Sequence, residues 1–393
     1  MNAGVTVDFT SFIRPGVAAM KPYTPILPLE VLAQKLGRAP DQIVKLDANE
    51  NPYGPSPRAR AALAKAAFLN IYPDPANTFL REALARFTGL PQDRLFPGAG
   101  ADELIDLALR ATITPGDVVI DCPPSFGMYP FSSAVNAAQF VEVPRREDFA
   151  LDVPAIESAV RSNPRAKVLF VCSPNNPDGS LVSDGDLRRL LTLPVLVVLD
   201  EAYVEFSTAT QGQTSMADTG KGADARSMGS AGHIAWTLDY PNLAVLRTFS
   251  KLAGLAGLRV GYGAFPEWLL PQLWKIKQPY NVNVAATLAA LASLEDLATL
   301  QDNLGKLMAE RARLSAALSE LNFLQVFPSS ANFLLCRVLD REARQLQLAL
   351  EEHGVLVRYF DRPGLRDCIR ISVGKPEQTE ALLNALKQMT SEK

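Results

Sequence analysis

The run NLAVLRTFSKLAGLAGLRVGY, residues 242–262, decides how the rest of the chain is read. Its opening, LAVLRTF (243–249), is largely apolar without polar alternation, the texture of a strand covered on both faces of a parallel sheet. The run then turns at Ser250-Lys251 into small residues, glycines and one arginine, Arg259. Lysine is a strongly hydrated cation. Its place between apolar segments is either a solvated turn or a position where the amine is held for chemistry.

Outward from this run the same texture repeats. DVVIDC (117–122), QFVEV (139–143), KVLFVCS (167–173), VLVVLD (195–200) and RVGYGAF (259–265) are further strand candidates, with helix-like stretches among them. Such alternation predicts an α/β fold of βα units around a mainly parallel sheet. ADELIDLALRAT (101–112) has apolar residues near helical spacing and stops at Thr-Pro-Gly, so a helix is expected directly after GAG. Beyond about residue 280, LATLQDNLGKLMAERARLSAALSEL reads as a long helix, and NFLLCRV, VLVRYF and CIRISVG as strands among helices. The expected division is a large domain over 46–285, a smaller α+β domain over 286–393, and an N-terminal segment, 1–45, packed with the smaller one. A chain of 393 residues is long enough to split its core in this way. The segment 207–235 is rich in Gly, Ser, Thr and Ala, offers little apolar surface against its ordering entropy, and is expected as a mobile surface insertion.

Hydrophobic residues make up 48% of the chain and the formal charge is only -3, which leaves no electrostatic case for nucleic acid or an anionic membrane. The N-terminus lacks a basic start before an apolar run, and no stretch approaches the roughly 18 apolar residues of a membrane span. A cytoplasmic protein acting on small molecules is expected. Cys122, Cys172, Cys336 and Cys368 lie far apart with no CxxC, so buried free thiols are expected rather than a metal site. His233 falls in the insertion and His353 at a helix end in EEHGV, which leaves a Ser-His-Asp or Cys-His hydrolase without its base. No GxxxxGK[ST] loop is present, and GAGADE (98–103) meets only the first two glycines of GxGxxG. Gly100, Ala101 and Asp102 still offer backbone N–H groups to an anion at a helix N-terminus; alternatively Asp102 caps that helix.

Three strand ends carry the chemistry. KVLFVCSPNNPDG ends in two asparagines between prolines, VLVVLDEAYVEF reaches Asp200 with Tyr203 three residues on, and LAVLRTFSK ends in Ser250-Lys251. Ligands of parallel α/β sheets bind at the carboxyl ends of strands. A lysine there supplies a Schiff-base amine, an aspartate holds a pyridine nitrogen protonated, and asparagine and tyrosine donate to a ring oxygen. Ser250, Arg259 and the Gly100–Asp102 amides suit a phosphate. Each residue taken singly has a structural reading; together they favour a pyridoxal-phosphate site.

The runs LDANENPYGPSP, YPDP, GAGADELIDLALRA, PPSFGMY, CSPNNPDG, DEAYVEFS, NLAVLRTFSKLAGLAGLRVGY and IRISVG, in this order between Pro22 and Gly374, resemble the histidinol-phosphate aminotransferase family. The resemblance implies a fold-type-I pyridoxal-5'-phosphate (PLP) transferase, with a mainly parallel seven-stranded sheet between helices and a smaller α+β domain. It implies that Lys251 forms the Schiff base with the cofactor, that Asp200 pairs with the pyridine nitrogen, and that Asn176 and Tyr203 contact the ring oxygen. Ser250, Arg259, Ala101 and Asp102 are then expected around the cofactor phosphate, and Phe126 on the ring face, where the family often has tyrosine. Tyr72 resembles the residue that reaches this phosphate from the neighbouring subunit, which implies a homodimer. Arg370 matches the substrate-carboxylate arginine, and Arg358, Tyr23 and Asn49 match positions that contact the rest of the substrate. Asp178, where the family often has threonine, lies beyond Asn176 and is expected to matter little. The expected reaction is transamination of histidinol phosphate with 2-oxoglutarate. An aromatic or broad-specificity aminotransferase, a threonine-phosphate decarboxylase and a cofactor-binding regulatory domain without catalysis remain as alternatives.

Overall fold

A computed structural model describes residues 9–20, 22, 27–207 and 228–391. Among the described residues, twelve strands form two sheets. A short strand, β1 (Val44–Leu46), comes first. The next seven, β2 (Leu95–Gly98), β3 (Val118–Asp121), β4 (Gln139–Glu142), β5 (Ala166–Cys172), β6 (Leu196–Asp200), β7 (Leu243–Thr248) and β8 (Gly261–Ala264), make one sheet in the order β2-β8-β7-β6-β5-β3-β4. Within it β4, β3, β5, β6 and β7 run parallel, while β8 is antiparallel to both of its neighbours. The reversal has a local cause. The link from β7 to β8 holds only the 3₁₀ turn Ala256–Leu258 and no crossover helix of the kind a parallel return uses.

The apolar runs without alternation are buried on both faces. Leu169, Val171, Val197, Leu199 and Val245 join one hydrophobic cluster, and Val168, Phe170, Leu196, Val198, Ala244 and Leu246 join the other. Each fully buried aliphatic side chain here stabilises the fold by about 1.5–3 kcal/mol. The strand β2 escapes sequence reading because LFPG is short and carries Pro97. Proline lacks the N–H of a ladder, and β2 accordingly sits at the sheet edge, paired with β8 alone.

The second sheet has the order β1-β11-β12-β10-β9, built from β9 (Leu324–Val326), β10 (Phe333–Val338), β11 (Val355–Tyr359), β12 (Cys368–Ser372) and the early β1. Antiparallel pairing of β11 with β12 sets Arg358 opposite Arg370. The expected N-terminal packing is only half observed. Residues 29–46 do lie against this smaller sheet, through Lys35 to Glu351 at 3.2 Å and Arg38 to the Glu352 carbonyl at 2.8 Å. The helix Pro15–Ala18, by contrast, packs on the helix Met128–Val135 of the larger sheet, where Arg14 donates to the Val135 carbonyl at 3.0 Å.

Part of the expected insertion, 207–235, belongs to the described fold. Residues 208–227 lie outside the described residues, but 228–235 are packed into the fold. One cause is Arg247, a completely buried guanidinium on β7. A buried charge must be paired. Arg247 donates twice to Glu201, at 3.0 and 2.8 Å, and its remaining donors go to the carbonyls of Gly229 and Ala231. His233 continues the network, with its backbone N–H 2.6 Å from Glu201 and its ring between Glu201 and Asp184. These polar contacts act together with Met228 and Ile234, which are buried in the large hydrophobic cluster, and the few apolar residues of the segment give little sign of either. His353 ends the helix Ala343–Glu352 and bonds back to the Ala349 carbonyl at 2.9 Å, as a cap. All four cysteines are free and buried. Among the described residues no helix is long and apolar enough to cross a membrane.

Replacing Arg247 with leucine strands the Glu201 carboxylate in the core. The expected loss is about 3–5 kcal/mol of stability, read as a lower urea midpoint; an unchanged midpoint would contradict the pairing argument.

Candidate active site

Adjacent parallel strands in register deliver their carboxyl ends to one place. Cys172 is level with Asp200, and Asp200 with Leu246, so the segments leaving β5, β6 and β7 start side by side. They bring Asn176, Asp200, Tyr203, Ser250 and Lys251 to an inner chamber of about 170 Å³, together with Ala101, Asp102, Phe126 and Arg259. Ala48, Phe126, Asn176, Tyr203 and Lys251 also line an outer cleft of about 1130 Å³, whose far wall carries Asn49, Arg358 and Arg370.

Lys251 is half-buried, and its Nζ makes one long hydrogen bond, 3.4 Å to the Ala48 carbonyl, and stands 5.5 Å from the Tyr203 ring centre. Burial, then the nearby Arg370 charge, push its pKa down to about 8 from the ordinary 10.5, against opposing pulls from Glu50 and Asp102. A neutral, nucleophilic amine is therefore accessible near physiological pH. The solvated-turn reading of this lysine fails on its position.

Asp200 is buried, and each carboxylate oxygen has one protein donor. Oδ2 accepts from the Tyr129 hydroxyl at 2.7 Å and Oδ1 from the Ala202 N–H at 3.0 Å. Burial pushes the Asp200 pKa up to about 6 despite these donors. The Tyr203 hydroxyl accepts from Asn49 Nδ2 at 3.1 Å, and burial raises its pKa. Asn49 is itself pinned: its N–H donates to Ser372 Oγ at 2.8 Å, that hydroxyl donates to Asn49 Oδ1 at 2.9 Å, and its carbonyl accepts from Asn332 at 3.0 Å. Arg370 is held by Asn176 Oδ1 at 2.6 Å and the Asp47 carbonyl at 2.8 Å. Its guanidinium and that of Arg358 lie 5.4 and 5.6 Å from the Phe360 ring centre, a matched pair on adjacent strands.

The opposite end of the chamber is a cradle for an anion. Gly100, with φ of 81°, is the N-cap of the helix Ala101–Thr112, and a Cβ there would stand 2.5 Å from an Arg259 nitrogen. Only glycine permits both this backbone turn and the close approach. Asp102 does not cap the helix; it accepts from Arg259 at 2.9 Å and keeps that guanidinium at the cradle. Ser250 stands beside it, its hydroxyl accepting from Thr248 at 2.9 Å. A carboxylate at one end, an anion cradle at the other, an aromatic side chain in the wall and an amine with one long hydrogen bond fit a phosphorylated heteroaromatic aldehyde. Among the described residues no cluster of three or more His, Cys, Asp or Glu could hold a metal.

One expected residue, Tyr72, is not brought to the chamber by its own chain. Tyr72 is 78% exposed and stacks on Tyr280 at 4.5 Å, away from the lining of its own chain. Tyr23 lies outside the described residues, although Pro22 lines the outer cleft. Asp178 accepts from Asn175 and from the Ser180 N–H, shaping the turn beyond Asn176. Sequence reading missed Tyr129, the last residue of PPSFGMY, and also Arg344 and Arg362, which add positive charge to the outer cleft. Only the aromatic pair in that run signalled Tyr129, and nothing local signalled the arginines.

Comparison with known proteins agrees with this geometry. The family pattern of aminotransferase class I and II matches residues 41–386. A histidinol-phosphate aminotransferase of Roseiflexus castenholzii is 51% identical over 390 residues, covering 97% of this chain and 99% of its own length. The chloroplastic histidinol-phosphate aminotransferase of Nicotiana plumbaginifolia is 49% identical, over 96% of this chain and 86% of its own. Among solved structures, histidinol-phosphate aminotransferase from Sinorhizobium meliloti in complex with pyridoxal-5'-phosphate superposes with a TM-score of 0.83 at 27% identity, covering 96% of this chain and 97% of that one. An L-threonine-O-3-phosphate decarboxylase from Porphyromonas gingivalis, at 23% identity and a TM-score of 0.71 over 88% of this chain and 99% of that one, shares the fold alone. The chain therefore belongs to the class I and II aminotransferases and, within them, to the histidinol-phosphate aminotransferase family.

Proposed function

We propose that this protein transfers the amino group between L-histidinol phosphate and 2-oxoglutarate, giving imidazole-acetol phosphate and glutamate, with pyridoxal 5'-phosphate as cofactor. This reaction belongs to histidine biosynthesis. The observation that carries the reading is the half-buried Lys251 amine, with no ion pair among the described residues, set between the Asp200 carboxylate and the anion cradle. The 51% identity to the Roseiflexus relative supports the substrate.

When bound, the cofactor supplies a carbonyl for exchange with the substrate amine and a ring that accepts electrons from the adjacent carbon. The chain supplies the rest. Arg259, Ser250 and the amides of Ala101 and Asp102 bind the phosphate, and Phe126 covers the ring. An ionised Asp200 keeps a proton on the ring nitrogen, while Asn176 and Tyr203 fix the ring oxygen. Lys251 Nζ is the base that takes the proton from the amine-bearing carbon and the acid that returns it. Arg370 and Arg358 bind the anionic end of each substrate, carboxylate in one half-reaction and phosphate in the other, since guanidinium forks suit both.

A homodimer is part of the proposal. Phe68, Leu69, Ile71, Tyr72 and Phe79 are all more than half exposed along one segment, an apolar surface that a second copy of this chain would cover. Tyr72 would then reach the partner's phosphate cradle. Two domains are proposed around the two sheets, 46–285 and 286–393, with 1–45 as the leading segment. A cytoplasmic setting suits the four buried free thiols.

With purified protein, histidinol phosphate and 2-oxoglutarate should yield glutamate, and phenylalanine much less; threonine phosphate should release no carbon dioxide. Replacing Lys251 with alanine should cut glutamate formation by about 10²–10⁴-fold or more, and near-normal turnover in that variant would contradict the assignment. Because the Lys251 pKa is lowered from 10.5 to about 8, its amine becomes neutral as pH rises through that value. Capture of the cofactor by the apoprotein should therefore quicken about tenfold per pH unit below about 8 and level off above it, whereas an ordinary lysine would keep the rate climbing at about pH 9.5.

A further inference from the structure

We propose that Tyr129 is a positioning residue for this reaction: its hydroxyl holds the Asp200 carboxylate ionised and turned toward the inner chamber, an inference that rests on the cofactor reading above. Tyr129 is completely buried in the first turn of the helix Met128–Val135. Its ring lies flat on Phe170 at 4.5 Å and 4°, and meets Phe126 edge-on at 5.7 Å and 84°. Packed this way, the phenol has a fixed direction, and its hydroxyl stands 2.7 Å from Asp200 Oδ2.

The need for such a donor follows from the surroundings of Asp200. Desolvation disfavours a buried carboxylate, and Asp102 and Glu201 add negative charge nearby. The Cys172 thiol adjoins from β5 and is held neutral by burial. Against these stand two donors among the described residues, the Ala202 N–H and the Tyr129 hydroxyl. Each bonds a different oxygen, which fixes the carboxylate plane and leaves further lone pairs for a ligand. The same phenol touches Phe126, so one side chain positions both the group expected on the ring face and the group expected on its nitrogen.

The test uses apoprotein titrated with pyridoxal 5'-phosphate, read by absorbance. Tyr129→Phe keeps the stack and removes only the hydroxyl. A hydrogen bond to a charged group is worth about 1.5–3 kcal/mol, so the cofactor Kd is expected to rise about 10- to 100-fold, with a changed visible spectrum. In an Asp200→Asn background the same replacement should change Kd by less than about twofold, because the effect runs through the carboxylate. Phe170→Leu loosens the stack but keeps the hydroxyl, and should raise Kd by less than Tyr129→Phe does. A rise below about threefold in Tyr129→Phe, an equal rise in both backgrounds, or an equal loss in Phe170→Leu would overturn the proposal. Failure of wild-type protein to act on histidinol phosphate would leave these titrations readable, and so tells the two readings apart.

Discussion

Three adjacent parallel strands held in one register set the position of everything else in the site. The register of β5, β6 and β7 places Asn176, Asp200 and Lys251 within one small chamber although they are distant in sequence. Backbone pairing fixes that register, and the burial of both sheet faces enforces it, since a slip of one residue would exchange the two faces of each strand. The chemistry is thus a consequence of sheet packing rather than of any local loop motif.

The same strand ends serve two opposed environments. Asp200 meets the chamber, while its neighbour Glu201 pairs with the buried Arg247 beneath. Period-two geometry makes this division unavoidable, because successive side chains leave a strand on opposite sides. One residue of Asp200-Glu201 stays available for a ligand, and the other accepts from both Arg247 of β7 and the His233 N–H, tying β7 to the segment around His233. Function and stability are separated by a single peptide unit.

How much of this is legible in the sequence depends on whether the cause is local. The helix Ala101–Thr112 shows in its own periodicity and stop signal, and the apolar strands show in their composition. Lys251, Asp200, Asn176 and Arg259 are legible because strand ends of an α/β sheet are where ligands bind, and the family resemblance supplies their expected roles. The direction of β8 and the edge position of β2 are not, since both depend on which neighbour the strand finds. The packing of residues 228–235 is hidden because two backbone carbonyls, which every residue carries, satisfy a distant arginine. Tyr129 is missed for a related reason: its partner is 71 residues away, and only the aromatic pair in PPSFGMY points to it.

The proposed reaction stands on one amine, Lys251, as the group that would hold the cofactor. Holoenzyme reduced with borohydride and then digested puts the question to peptide mass spectrometry. A pyridoxyl phosphate group is expected on the peptide that contains Lys251 and on no other lysine. The same group on a different lysine, or none at all, would contradict it.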